Sequence, residues 1–150
     1  MTAVVYWFRN DLRLHDNPSF AQALHRASQT TTELLSIYVH DPKHSLETAW
    51  GFERMGAHRK AFLVDRLQDL SLQLKAIKCE FIELHGSPKE ALSAFCQSTQ
   101  TKQIHCEDIA APEEQAEIDA LRAAGLEVKT QWQSSLLDPY DLPFDMQNLP

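Results

Sequence analysis

Glycine is scarce in this 150-residue chain: there are four, and none precedes Gly51. A dinucleotide-binding fold needs G-x-G-x-x-G directly after its first strand, so that bare backbone can approach a pyrophosphate, and a P-loop needs glycines of its own. Neither motif occurs, nor does the G-x-S-x-G elbow of the serine hydrolases, so phosphate cradling by backbone and acyl transfer at such an elbow are set aside. Cysteine is equally rare. Cys79, Cys96 and Cys106 are odd in number, widely spaced and form no C-x-x-C pair, which implies reduced thiols and no zinc site. His105 and Cys106 are adjacent, but neighbours on a strand project to opposite faces. Long apolar runs are missing too: the longest span about half a dozen residues against the ~20 that cross a bilayer, so no membrane partner is expected. No basic-then-apolar leader is read at the N-terminus, and the expected compartment is cytoplasmic. Positive charge is the last shortage, with 14 Lys and Arg against 21 Asp and Glu and a net charge of −7. The basic residues are scattered, so a polyanion such as DNA meets net repulsion from this segment.

What is present is ordinary for a folded domain: 43% hydrophobic and 23% charged residues. A chain of this length can bury roughly 68–70% of its unfolded surface without staples. The pattern alternates. "AVVYWF" (Ala3–Phe8) is a continuous apolar, β-branched and aromatic run, as a central parallel strand covered on both faces requires. Asn17 then supplies an N-cap and Pro18 a first helical residue. "LLSIYVH" (Leu34–His40) is a second strand. Leu63, Leu67, Leu70, Leu74 and Ile77 repeat at steps of four and three, which predicts a helix from Gly56 to Ala76. "EFIEL" (Glu80–Leu84) is a third strand, and Ser87, Pro88 and Glu90 open the next helix with a capping box. "QIHC" (Gln103–Cys106) is a fourth strand, Pro112 to Gly125 brackets a helix with glutamates in its first turn, and "EVKTQW" (Glu127–Trp132) alternates like an edge strand. The sum is a Rossmann-like, doubly wound five-stranded parallel sheet of order 3-2-1-4-5 with helices on both faces. Residues 1–133 form the α/β domain. Residues 134–150, rich in proline and aspartate and without period, read as the start of an interdomain linker.

In such a sheet, ligands bind beyond the carboxyl ends of the strands, near the reversal of strand order. Those ends carry Arg9–Asp11, His40–Pro42, His85–Gly86 and Glu107–Asp108. None of the seven histidines completes H-E-x-x-H, so no metal ligand and no catalytic residue is assigned; His15 and His58 are read as structural or surface residues.

The stretch "WFRNDLRLHDNP" resembles the N-terminal signature of the photolyase and cryptochrome family. The segments "DPKHSLETAWGF" and "DPYDLPFDMQNLP" are similar to the DASH-type cryptochromes, although "ERMGAHR" stands where that group usually has a Pro-Lys-Thr-Gly stretch. The resemblance covers essentially the whole chain but only the first domain of the family. It implies a light-harvesting antenna domain that holds a methenyltetrahydrofolate-type chromophore, a deazaflavin or flavin antenna being less favoured. Excitation would pass to FAD in a C-terminal helical domain outside this sequence, for light-driven pyrimidine-dimer repair or blue-light signalling, with DNA contacted only through that domain. Full-length relatives are deoxyribodipyrimidine photolyases; this chain alone is expected to lack that carbon–carbon lyase activity.

Residue by residue, the resemblance aligns Glu114 with the glutamate that contacts the folate antenna, and Glu113 with a polar antenna contact in some relatives. It aligns Asp41, Arg59 and Asp108, with His40 a weaker match, with residues lining the antenna pocket of deazaflavin-using relatives. Each has a plainer reading: a helix-start glutamate bonding the free N–H groups of its cap, a turn aspartate before Pro42, a solvated helix face, a loop aspartate. Trp50 and Phe52 are candidates for stacking on a flat ring. Arg9, Asp11 and Arg13 are expected to pair with one another or with the flavin domain, leaving charges or apolar surface uncovered at the strand ends. Two other readings stay open: a stand-alone adenine-nucleotide-binding domain of the α-hydrolase type, and a chromophore-free structural domain.

Overall fold

β1 (Val4–Phe8) is buried at every position, because it lies between β2 (Leu34–His40) and β4 (Gln103–Asp108) and is covered on both faces. A computed structural model of the chain describes residues 3–135, 137, 138 and 141–144. β3 (Glu80–His85) and β5 (Glu127–Trp132) complete an all-parallel sheet in the order 3-2-1-4-5. The helices are α1 (Pro18–Thr30), α2 (Ala57–Ala76), α3 (Pro88–Ser98) and α4 (Pro112–Ala123). The remaining positions of the proline-rich tail, Leu136, Pro139, Tyr140 and 145–150, lie outside the described residues.

Strand alternation divides the core in two. Val4, Tyr6 and Phe8 face α1 and α2, packing with Phe20, Ala23 and Ala27 and with Leu67, Leu70 and Leu74. Val5 and Trp7 face α3 and α4, packing with Leu92, Cys96, Ile118 and Leu121. Cys106 joins this second cluster, whereas its neighbour His105 is buried on the other side of the sheet. The predicted helix starts are built as read. The Asn17 carboxamide oxygen accepts from the Phe20 N–H at 2.9 Å, and Ser87 accepts from the Glu90 N–H at 3.4 Å. The Ser87 hydroxyl donates to the Glu90 carboxylate, so the reciprocal bond runs side chain to side chain.

Three details differ from expectation. β3 and β4 run on to His85 and Asp108, because parallel pairing with His40 of β2 and Trp132 of β5 carries polar residues past the apolar runs. Ile77 is half exposed, since α2 ends at Ala76 and the chain turns away. The long connection from β2 to α2, for which the sequence pattern predicts no element, carries local structure of its own. A short 3-10 turn, Pro42–Ser45, is followed by a tight antiparallel reversal that bridges Glu47 and Glu53, with Gly51 at φ +80° in a region that disfavours side chains. Among the described residues no helix is long and apolar enough to cross a membrane.

Candidate functional site

A cleft of about 360 Å3 opens at the carboxyl ends of β1 and β2, between α2 and α4. Trp7, Phe8, Tyr38 and Val39 contribute its base, Phe62 and Leu63 one wall, and Met55, buried beneath the reversed loop, its roof. Burial pushes the Tyr38 hydroxyl above its ordinary range, with Arg59 opposing the shift. A site of this size and mixed lining suits one planar ring system held by a few polar groups.

Four of the five predicted antenna contacts line this cleft: Asp41, Arg59, Glu113 and Glu114. They differ in what else binds them. Asp41 is 7% exposed and holds the 3-10 turn, accepting from the Lys43 N–H at 2.9 Å, so the turn already uses that carboxylate oxygen. Glu113 is ion-paired with Arg54, which reaches across from the reversed loop. Arg59, exposed on the first turn of α2, has no ion-pair partner among the described residues. Glu114 is half-buried in the first turn of α4, and its carboxylate makes neither a hydrogen bond nor an ion pair among the described residues. The plainer reading of Glu114 as a cap is not what the geometry has: the N-cap position, Ala111, receives no side-chain hydrogen bond.

Asp108 does not line the cleft. It accepts from the Gln115 side chain at 2.6 Å, on the flank of α4, because β4 continues through it. His40 lies outside as well, bonded to Glu83 at 2.6 Å and stacked on His85 at 4.6 Å, beside a second cavity of about 400 Å3. Trp50 and Phe52 stack on each other at 6.3 Å and remain 80% and 61% exposed at the tip of the reversed loop, away from the cleft lining. His15 and His58 are exposed.

The charged stretch after β1 splits in two. Arg13 forks onto Asp11 at 2.9 Å through both Nε and Nη2. Arg9 does not join them. Strand alternation carries it to the α3 and α4 side, where its guanidinium lies 4.7 Å over Trp7 and Nη2 donates to the Glu114 carbonyl oxygen and the Glu117 carboxylate, each at 3.0 Å. Its side chain is 3% exposed and lines the cleft, while its other terminal nitrogen, Nη1, is buried without a hydrogen-bond partner.

The crevice between β1 and β4, where the strand order reverses, is filled. Gln133 donates to Asp11 at 3.0 Å and accepts from the Ser19 N–H at 3.3 Å, occupying the start of α1. Glu107 is 8% exposed beside it, its carboxyl raised by burial against the opposing hydrogen bond from the Asp11 N–H. Two carboxylates and a carboxamide at a helix N-terminus disfavour a phosphate there, which weighs against the adenine-nucleotide reading. Sequence reasoning missed Arg54 and Met55, whose placement follows from the loop reversal. It also missed Tyr38 and Phe62, whose only signal was apolar periodicity.

The sequence profile of the family described as DNA photolyase matches residues 4–150. The chain is 32% identical to a Cryptochrome DASH of Synechocystis over 98% of this chain and 30% of that protein, and 31% identical to the Blue-light photoreceptor PHR2 of Arabidopsis thaliana over 99% and 33%. The crystal structure of a Synechocystis cryptochrome superposes with a TM-score of 0.85 at 32% identity, covering 100% of this chain and 31% of that one. A class III photolyase from Agrobacterium tumefaciens, at 22% identity and a TM-score of 0.74 over 94% of this chain and 28% of that one, shares the fold. The chain thus spans about three tenths of the length of these relatives. A profile matched across nearly every residue, on an α/β sheet that superposes throughout, means that this chain belongs to the DNA photolyase family.

Proposed function

We propose that this chain is a light-harvesting domain whose cleft between α2 and α4 holds a planar antenna chromophore of the methenyltetrahydrofolate type. The observation that carries the reading is Glu114: a half-buried carboxylate aimed at no protein partner, beside an aromatic and aliphatic cleft. A carboxylate left this way favours a ligand edge rich in N–H donors, which a pterin presents. Phe62, Leu63 and Met55 would exclude water from the ring, and Arg59 leaves a cation for an anionic substituent. A deazaflavin or flavin ring has similar dimensions and is the second choice of ligand. The bound chromophore supplies near-ultraviolet or blue absorption, which the whole protein would pass to FAD in a helical domain beyond this sequence. That domain would contact DNA and carry out pyrimidine-dimer repair or signalling; the similarity to Cryptochrome DASH proteins supports this placing.

A difference-absorption titration tests the reading. Methenyltetrahydrofolate added to the purified chain should bind one to one with a displaced absorption maximum. Glu114→Gln should weaken it by about 10- to 100-fold, the loss of one charge-assisted pair. Unchanged spectra, or a Glu114→Gln variant that binds as the parent does, would falsify the assignment.

A further inference from the structure

We infer that the second cavity, beside the stacked rings of His40 and His85, is a binding site for a small aromatic carboxylate. The inference is separate from the proposed function and holds whatever occupies the cleft between α2 and α4. The cavity, of about 400 Å3, lies at the carboxyl ends of β2 and β3, where the parallel register sets His40 beside His85. Their rings stack at 4.6 Å and 12° from parallel, and Tyr38 meets His40 edge-on at 5.0 Å, so three rings in contact border the cavity. Leu63 and Val64 of α2 and Met55 of the reversed loop border it too. Rings and aliphatic side chains around such a volume suit a flat, apolar body.

The charged groups of the lining fix the ligand's sign. A chain of net charge −7 repels anions in general, so an anion site needs a local excess of donors, and this cavity has one: Lys60, His44, His85 and His40. The ring nitrogens of His44 and His85 make no hydrogen bond or ion pair among the described residues. His40 spends Nε2 on Glu83, which stands outside the lining. Lys60 is paired with Glu53, but the two side chains are 37% and 52% exposed, so the pair is weak and the ammonium can take a second carboxylate. Among the described residues, Asp41 is the one carboxylate of the lining, and it is committed to its turn: one oxygen accepts from the Lys43 N–H at 2.9 Å and the other lies 3.9 Å from Lys43 Nζ. A metal ion does not fit, because parallel imidazoles cannot converge on one ion, and no group of three or more His, Cys, Asp or Glu among the described residues could hold one. One ammonium, shared with Glu53, matches a monoanion better than a phosphate. Because Tyr38, His44 and Met55 also line the first cleft, the aromatic carboxylate is either a free acid or the far end of a ligand whose ring occupies that cleft.

The test is a titration of the purified 150-residue chain with 4-aminobenzoate, followed by the ring-proton NMR signals of the histidines. The signals of His40, His44 and His85 should shift saturably, and those of His15 and His25 should stay in place. 4-Aminobenzamide keeps the ring without the charge, and cyclohexanecarboxylate keeps the charge without the flat ring; each should bind about tenfold more weakly. Lys60→Gln should weaken 4-aminobenzoate by about tenfold as well. Adding methenyltetrahydrofolate then separates the two sources: displacement of the probe assigns the cavity to the far end of a cleft ligand, and simultaneous binding assigns it to a free acid. Absence of shifts at His40, His44 and His85, an amide that binds as well as the acid, or a folded Lys60→Gln variant that binds as the parent does overturns the inference. The comparison of acid with amide in the parent chain decides the matter even if Lys60→Gln folds poorly. Failure of methenyltetrahydrofolate to bind overturns the proposed function and leaves this inference standing, since 4-aminobenzoate alone reads it.

Discussion

Glu107 and His105 stand two residues apart on β4, both are buried, and both leave a pH signature. Burial raises the Glu107 carboxyl above its ordinary value. The folded state therefore favours its protonated form: that share of stability is present at pH values below the unfolded pKa and is lost as pH rises through the raised folded value. Glu107→Gln keeps an acceptor for the Asp11 N–H and removes the charge. It should gain about 1 kcal/mol at pH 7, with the gain vanishing near pH 4, as read by urea unfolding at the two pH values. His105 shifts the other way, lowered by burial and then by Arg26 of α1 and Lys129 of β5. Its neutral form contributes stability above the ordinary imidazole range, and this is lost as pH falls through the folded value. His105→Asn should flatten the loss of stability between pH 7 and pH 5; an unchanged slope would assign that loss to other groups. The candidate site was partly legible at this scale. Asp41, Arg59, Glu113 and Glu114 do meet in one cleft. Asp108 does not, because the fourth strand extends through it to pair with Trp132, and Arg9 parts from Asp11 and Arg13 because strand parity sends it to the opposite side.

Helix starts were readable from the sequence because their signals are local. Asn17 serves two purposes that the sequence reveals only in part: its carboxamide oxygen caps α1 and also accepts from the buried Tyr6 hydroxyl at 3.2 Å. Asn17→Ala loses the cap and one of the two side-chain partners of that hydroxyl, Ser19 being the other, so unfolding free energy should fall by about 2 kcal/mol, beyond the ~1 kcal/mol of a cap alone. Asn17→Ala in a Tyr6→Phe background should cost only the smaller amount. α4 offers the converse case. Ala111 stands at its N-cap in extended geometry, with φ −66° and ψ 136°, and offers no side-chain acceptor to the free N–H groups. Ala111→Ser should raise stability by about 1 kcal/mol in thermal or urea unfolding. The connection between β2 and α2 was not legible. Its order comes from backbone bonds between Thr48 and Phe52 and between Met55 and His44, which carry no hydrophobic period, and only that reversal brings Arg54 to Glu113.

At the scale of the molecule, the sheet order follows from alternation of apolar runs with capped amphipathic segments, which is why the topology could be written from sequence. The position of the site could not. Open α/β sheets place ligands near the strand reversal, but here Gln133, Asp11 and Glu107 fill that crevice, and the free volume lies over β1 and β2 instead. This displacement depends on a residue from the far end of the chain, so no local pattern signals it. The charge balance has its own consequence: at a net −7 the chain should show no measurable shift of a single- or double-stranded oligonucleotide at physiological salt, and tight binding would require a basic surface that the sequence does not concentrate. The most direct measurement is a crystal structure of this chain grown with methenyltetrahydrofolate. The account predicts the pterin ring in the cleft between α2 and α4, with its N–H edge on the Glu114 carboxylate. Chromophore density on another face of the sheet, or a cleft holding only water at saturating folate, would contradict it.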